Sequence, residues 1–191
     1  MKKLSIKDAA PVMLFLALGL LAGSGCKKVE DIVKPKLPEA TQEGQGTFGC
    51  LVDGSLWLPF VQHTLDSKLE ASYSSTAGGT FTLRAEQEPS TGTSQYIHLT
   101  VYNPAGVALK PGTYAVASGF TGRLEAQQDF MTSAAGPATL TITKVEPRTE
   151  KTPTGGEVRY TIVSGTFDFE AAAPAGQKVR LTEGRFDVKA F

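Results

Sequence analysis

Thr47-Phe-Gly-Cys-Leu-Val-Asp-Gly-Ser-Leu-Trp-Leu-Pro59 is the most informative stretch of this 191-residue chain. Asp53-Gly54 stands between two apolar runs, and such a dipeptide favours a type I′ turn, which needs positive φ at both central residues. A two-residue turn there pairs Val52 with Ser55, Cys50 with Trp57 and Phe48 with Pro59, so those six side chains share one face. Leu51, Leu56, Leu58 and Phe60 fall on the other. Both faces are apolar, which predicts a hairpin covered on both sides, by a second sheet or by the returning chain.

Downstream, apolar residues recur with the period of two expected of half-buried strands. Phe81, Leu83 and Ala85 alternate with Thr82 and Arg84. Ile97, Leu99 and Val101 alternate with Tyr96, His98, Thr100 and Tyr102. Leu140 and Ile142 alternate with Thr139, Thr141 and Thr143. Turn signals separate these runs at Gly78-Gly79, Pro89 to Gly92, Lys110-Pro111-Gly112 and Gly136-Pro137. Arg123 to Met131 fits either a strand or a helix. Two late segments change parity: Val158, Tyr160 and Ile162 give way to Phe167 and Phe169 after Gly165, and Val179 and Leu181 give way to Phe186 and Val188 after Gly184. A strand cannot change its buried parity without an extra residue or a sharp bend, so a bulge or kink is expected at each glycine. The fold these patterns predict is all-β, an antiparallel β-sandwich of about 9–11 strands, with a calycin-like β-barrel as the alternative.

Upstream of the hairpin, Lys27 to Gly46 has no apolar periodicity and mixes Pro35, Pro38, Gly44 and Gly46 with charged residues. This composition reads as a flexible tether with an end-to-end distance of about 25 Å as a coil. Before it, Lys2, Lys3 and Lys7 precede an apolar run from Val12 to Ala22, the order of a secretory signal. That run is about half the roughly 20 residues needed to span a bilayer. Gly23, Ser24 and Gly25 then lead into Cys26, the pattern of a lipoprotein processing site, in which the cysteine becomes a diacylglyceryl anchor. The expected organisation is a signal peptide over 1–25, a lipid-anchored flexible linker over 26–46 and one all-β domain over 47–191, held at the outer membrane with its periplasmic or surface face open.

Removing residues 1–25 takes three of the 19 basic and one of the 19 acidic residues, leaving a formal net charge of about −2. Such a body lacks the basic stripe that nucleic acid would require. With Cys26 acylated, Cys50 has no partner for an internal disulfide, so stability must come from a packed core.

Chemical signatures are sparse. The chain carries no nucleophile elbow, zinc-protease helix, phosphate loop or Cys-x-x-Cys pair, and its only histidines are His63 and His98. No metal site, cofactor or catalytic residue is therefore expected. The weak ligand-facing candidates are Tyr96, His98 and Tyr102 on the polar face of one strand, where the rings could form a platform for sugar or peptide, and Trp57, which reads more readily as core. Cys50 reads as a small buried hydrophobe. Glu86, Glu88 and Asp129 could converge as a calcium site or acid/base pair, but no spacing singles them out.

Thr47-Phe-Gly-Cys-Leu-Val-Asp-Gly beside Trp57, Gly112-Thr-Tyr, Val163-Ser-Gly-Thr-Phe-Asp-Phe and Thr182-Glu-Gly-Arg-Phe-Asp together resemble an uncharacterised family of Bacteroidota lipoproteins, a domain of unknown function. The resemblance implies an extracytoplasmic β-rich lipoprotein and transfers no activity or site. The leading expectation is a non-enzymatic binding or structural module of the cell envelope, meeting a glycan, a peptide or a neighbouring envelope protein. A carrier of an apolar ligand within the sandwich or barrel is the alternative, and an enzyme with an unrecognised site is the weaker one.

Overall fold

The computed structural model describes residues 35–63, 66–75, 79–102 and 107–191. The signal segment, Cys26 and the first part of the expected linker, residues 26–34, lie outside the described residues. Among the described residues there are eleven strands: β1 (Thr47–Val52), β2 (Ser55–Trp57), β3 (Leu69–Ser74), β4 (Thr80–Gln87), β5 (Gln95–Val101), β6 (Gly112–Ala115), β7 (Phe120–Glu125), β8 (Asp129–Met131), β9 (Ala138–Lys151), β10 (Glu157–Ala172) and β11 (Lys178–Ala190). All pairings between these strands are antiparallel, as the predicted sandwich requires, and one isolated parallel bridge joins Phe60 to Gln87. The stretch that fitted strand or helix resolves into β7 and β8, joined by a turn in which Ala126 N donates to Gln128 O at 3.1 Å. Among the described residues no helix is long and apolar enough to cross a membrane.

One layer has the order β6-β9-β10-β11-β1-β2 and the other β8-β7-β5-β4-β3, linked by the single pairing of Ala172 with Met131. The path ends at β2 and β3, so the barrel alternative does not form. Short stitches replace closure at the corners. Phe60 N donates to Glu86 O at 2.9 Å, and Phe191 N donates to Ala71 O at 3.2 Å. Between the layers Phe81 packs on Phe186 at 5.7 Å and Phe120 on Phe169 at 6.0 Å, while Phe48 stacks on Phe167 at 5.3 Å. All six rings are at most 3 % exposed. Burying each contributes about 1.5–3 kcal/mol, which lets the domain do without a disulfide.

The hairpin forms as its sequence dictates. Asp53 and Gly54 have φ of 48° and 79°, Cys50 faces Trp57, and Val52 faces Ser55. Trp57 and Cys50 enter the core, and the Trp57 indole Nε1 donates to Gln95 Oε1 of the opposite layer at 3.0 Å. Burial pushes the Cys50 thiol up to about 12, so no thiolate exists near neutrality. We expect Cys50 to resist a thiol reagent at pH 8 in the folded protein and to react once denaturant is added. Rapid labelling without denaturant would contradict its burial.

The parity switch in β11 is a bulge. Phe167 pairs with Gly184 but Phe169 with Leu181, so Thr182 and Glu183 together oppose one residue, and Glu183 takes a φ of 53°. In β10 the expectation is corrected. Its register with β11 runs unbroken through Gly165, and the extra residue is Thr143 on β9, opposite the Ser164–Gly165 step. Val163, Phe167, Phe169 and Ala171 all face the core. Tyr160 and Ile162 lie on the other face and are covered from outside. Gly165 and Gly184 are needed for a different reason from the one expected: the Phe186 ring folds over Gly165 and the Phe167 ring over Gly184, so that a Cβ would meet them at 2.9 and 2.4 Å.

Phe191 and the Lys189 ammonium lie against Tyr160, and what covers Ile162 is the segment before β1. Residues 35–46, read from sequence as the end of the tether, lie on the domain as a strap. Its anchor is Asp187, 1 % exposed on the face of β11 away from the core. Asp187 Oδ2 accepts from Thr41 Oγ1, Glu43 N and Gln45 N at 2.7, 2.9 and 3.1 Å, and Oδ1 accepts from Gly44 N and Ser164 Oγ at 2.8 and 2.7 Å. Gly46 N donates to the Asp187 carbonyl at 2.9 Å. Gly44 thereby sits over Ile162, and Leu37 and Pro38 lie against Gly49 and Leu58. The second apolar face of the hairpin is thus met by chain from its own N-terminal side. Burial alone would raise the carboxyl of Asp187, but the hydrogen bonds from Thr41, Ser164, Glu43 and Gln45 outweigh it and hold the group down at about 2.

Candidate functional site

The outer face of the β8-β7-β5-β4-β3 layer gathers the polar residues that alternate with the core. Antiparallel register sets them in rows across the strands. Glu70, Arg84, His98 and Arg123 form one row, Glu86, Tyr96 and Glu125 the next, and Ser72, Thr82, Thr100 and Thr121 a third. Opposite charges meet within the first row, where Glu70 stands beside Arg84, and between the first and second, where Arg84 meets Glu86 and Arg123 meets Glu125, the arrangement that stabilises neighbours on a sheet face. Arg84 reaches Glu86 at 3.0 Å and Glu70 at 3.3 Å, and its guanidinium lies 4.3 Å above the Tyr96 ring. Arg123 grips Asp129 through two contacts of 2.9 and 3.0 Å and also meets Glu125 at 3.2 Å.

His98 stands in the middle of this lattice. Desolvation and the Arg123 charge lower its pKa, and Glu125 only partly opposes them, so the ring is neutral at pH 7. Its Nε2 lies 3.5 Å from Glu125 Oε2, at the limit of a hydrogen bond. Like Arg123 Nε, it is buried without a partner of bonding geometry. Buried polar atoms are seldom left so. Beside His98 a depression of about 400 Å³ is lined by Glu70, Ser72, Thr82, Arg84 and Thr100. Hydroxyls, one imidazole edge and one guanidinium are therefore presented together, within a face where four carboxylates outnumber two guanidiniums. That charge balance disfavours polyanions and suits a neutral, hydroxyl-rich ligand.

Of the residues singled out from sequence, Tyr96 and His98 come together, with ring centroids 6.2 Å apart. Tyr102 does not join them. It directly follows β5, six residues or about 20 Å beyond Tyr96 and four residues or about 13 Å beyond His98, and is 53 % exposed. Arg84 covers one face of Tyr96, so no open pair of rings is available to stack a sugar. Trp57 is buried in the core. Glu86 and Asp129 are each spent on an arginine, and Glu88 Oε2 accepts from Gln62 N. No group of three or more His, Cys, Asp or Glu side chains among the described residues could hold a metal ion. Sequence reasoning missed Arg84, Arg123 and the hydroxyl row. The signal was the alternation itself, because Thr82, Arg84, His98 and Thr100 occupy the polar positions of two strands that pair. Comparison with protein families, curated proteins and solved structures finds no match to the chain.

Proposed function

We propose that the chain is a lipid-anchored, extracytoplasmic binding module of the outer membrane, without catalytic activity, whose β8-β7-β5-β4-β3 face meets a hydroxyl-rich partner, a glycan of the cell envelope. The observation that carries the reading is the row of hydroxyls, Ser72, Thr82 and Thr100, that lines the depression beside His98. The secretory pattern before Cys26 and the resemblance to envelope lipoproteins support the location. The carrier alternative is disfavoured because the protein's own phenylalanine rings occupy the space between the layers.

An array of bacterial surface polysaccharides probed with the full chain tests the reading. Binding is expected, and Thr82→Val with Thr100→Val should weaken it about tenfold, the equivalent of roughly 1.4 kcal/mol. Lys151→Ala, at the tip of the β9–β10 hairpin, should leave it unchanged. Binding indifferent to the paired substitution, or a hydrolytic activity lost with one carboxylate, would overturn the proposal.

A further inference from the structure

We propose that the cleft between Lys36 and Lys68 seats phosphate-bearing lipid headgroups of the bilayer to which the chain is tethered, so that one defined end of the domain rests on the membrane. This inference builds on the lipid-anchor reading above. The cleft, about 210 Å³, has Pro38, Phe48, Leu58 and Pro59 as its apolar walls and the two lysines at its rim. No described carboxylate pairs with either lysine. Lys144, Lys178 and Lys189 each face a glutamate, at 2.8, 2.6 and 3.3 Å, and although Lys110 and Lys151 face no described carboxylate either, among the described lysines only Lys36 and Lys68 share an apolar cleft. Phe60, directly after the cleft wall, leaves 43 % of its surface exposed. Free ammonium groups beside exposed apolar and aromatic surface are the chemistry of a membrane interface.

Covalent connection decides between a lipid phosphate and a free one. Pro35, the first described residue, adjoins Lys36 and stands nine residues after Cys26. Nine residues reach at most about 32 Å even when fully extended. The strap pins the following residues to the sandwich, so the anchor brings the surface beside Lys36 to the bilayer before any other. Tethering also raises the local concentration of headgroups, so a weak site suffices.

The test is amine labelling of the full acylated chain, read residue by residue by peptide mass spectrometry. The protein is compared in neutral detergent micelles, in phosphatidylcholine vesicles, and in vesicles containing phosphatidylglycerol. Lys36 and Lys68 should label about fivefold more slowly in the phosphatidylglycerol vesicles than in micelles. Lys110 should be unaffected. It lies at the other end of β4, since its neighbour Leu109 packs at Gly79 whereas Lys68 O accepts from Glu86 N. Equal rates for Lys36 and Lys68 in micelles and vesicles, or equal protection of Lys110, would overturn the docking surface while leaving the anchor intact. Slowing by inorganic phosphate in micelles to the same extent would assign the cleft to a free anion instead. An N-terminal peptide without acyl mass on Cys26, seen in the same spectra, would remove the anchor reading and this inference with it.

Discussion

Asp187→Ala is expected to destabilise the domain by about 3 to 5 kcal/mol and to lower its melting temperature by about 10 °C. The substitution removes the acceptor for five hydrogen bonds at once and leaves Ser164 Oγ and three strap amides without their partner. Loss of the strap then exposes Ile162, so an apolar contribution goes with the polar one. Asp187→Asn keeps the volume and one carbonyl oxygen, and about half the loss is expected. Hydrogen exchange separates a released strap from general weakening: the amides of Glu43, Gly44 and Gln45 should exchange freely in Asp187→Ala while those of β10 stay protected. Strap amides still protected in that variant would contradict the role given to the carboxylate. Acid should act on the same group. Its folded value of about 2 lies below the unfolded carboxyl value of 3.8. The stabilisation is therefore complete above the unfolded value and is lost as pH falls from about 5 towards 2, to an extent of roughly 2 kcal/mol. In Asp187→Asn this acid-sensitive component should be missing.

Gly165→Ala should be nearly as damaging, with a loss of about 3 kcal/mol. The added Cβ would stand 2.3 Å from the backbone carbonyl of Thr141 and 2.9 Å from the Phe186 ring. The first contact is with backbone, so it can be relieved only by opening the β9–β10 ladder. Gly184→Ala differs in kind. The three atoms nearest its Cβ, at 2.4 to 2.5 Å, all belong to the Phe167 ring, and that ring is a side chain. Phe167→Leu should therefore recover part of the loss from Gly184→Ala, whereas Phe186→Leu should recover little of the loss from Gly165→Ala. Thermal unfolding of the four variants and the two double variants checks this. Equal rescue of both glycines would show that ring contact, and not the Thr141 carbonyl, governs Gly165.

The contrast between those glycines also shows where the chain is readable from its sequence. Relations spanning a few residues are plain in it. Asp53-Gly54 sets a turn and its register, and the alternations in β4, β5 and β9 mark which side chains meet the core. The β11 bulge is legible because Leu181 and Phe186 both face inward and an odd separation cannot do that without an extra residue. Tyr160 and Ile162 offer the same signal for β10, yet there it means something else. Tyr160 is covered by Phe191 and the Lys189 ammonium, and Ile162 by a strap more than a hundred residues earlier, held by backbone amides whose sequence carries no mark of the bond. The lone acidic residue that receives them, Asp187, looks like any polar position of a strand. The candidate face is half legible in the same way. His98 and Tyr96 are placed by their own strand, but their chemistry depends on Arg84 and Arg123 from the two flanking strands, and pairing partners are a property of topology. Tyr102 shares their parity and still lies beyond reach, because parity places a residue on a face and not at a distance.

The strap, the polar face and the basic cleft acquire a common purpose only if the chain is held at a membrane through Cys26. Fractionation of cells expressing the full chain and its Cys26→Ala variant tests that most directly. The account predicts wild-type protein in the outer-membrane fraction, with acyl mass on its N-terminal peptide, and the variant released into the soluble extracytoplasmic fraction. A variant that stays with the membrane to the same extent as wild type would contradict it.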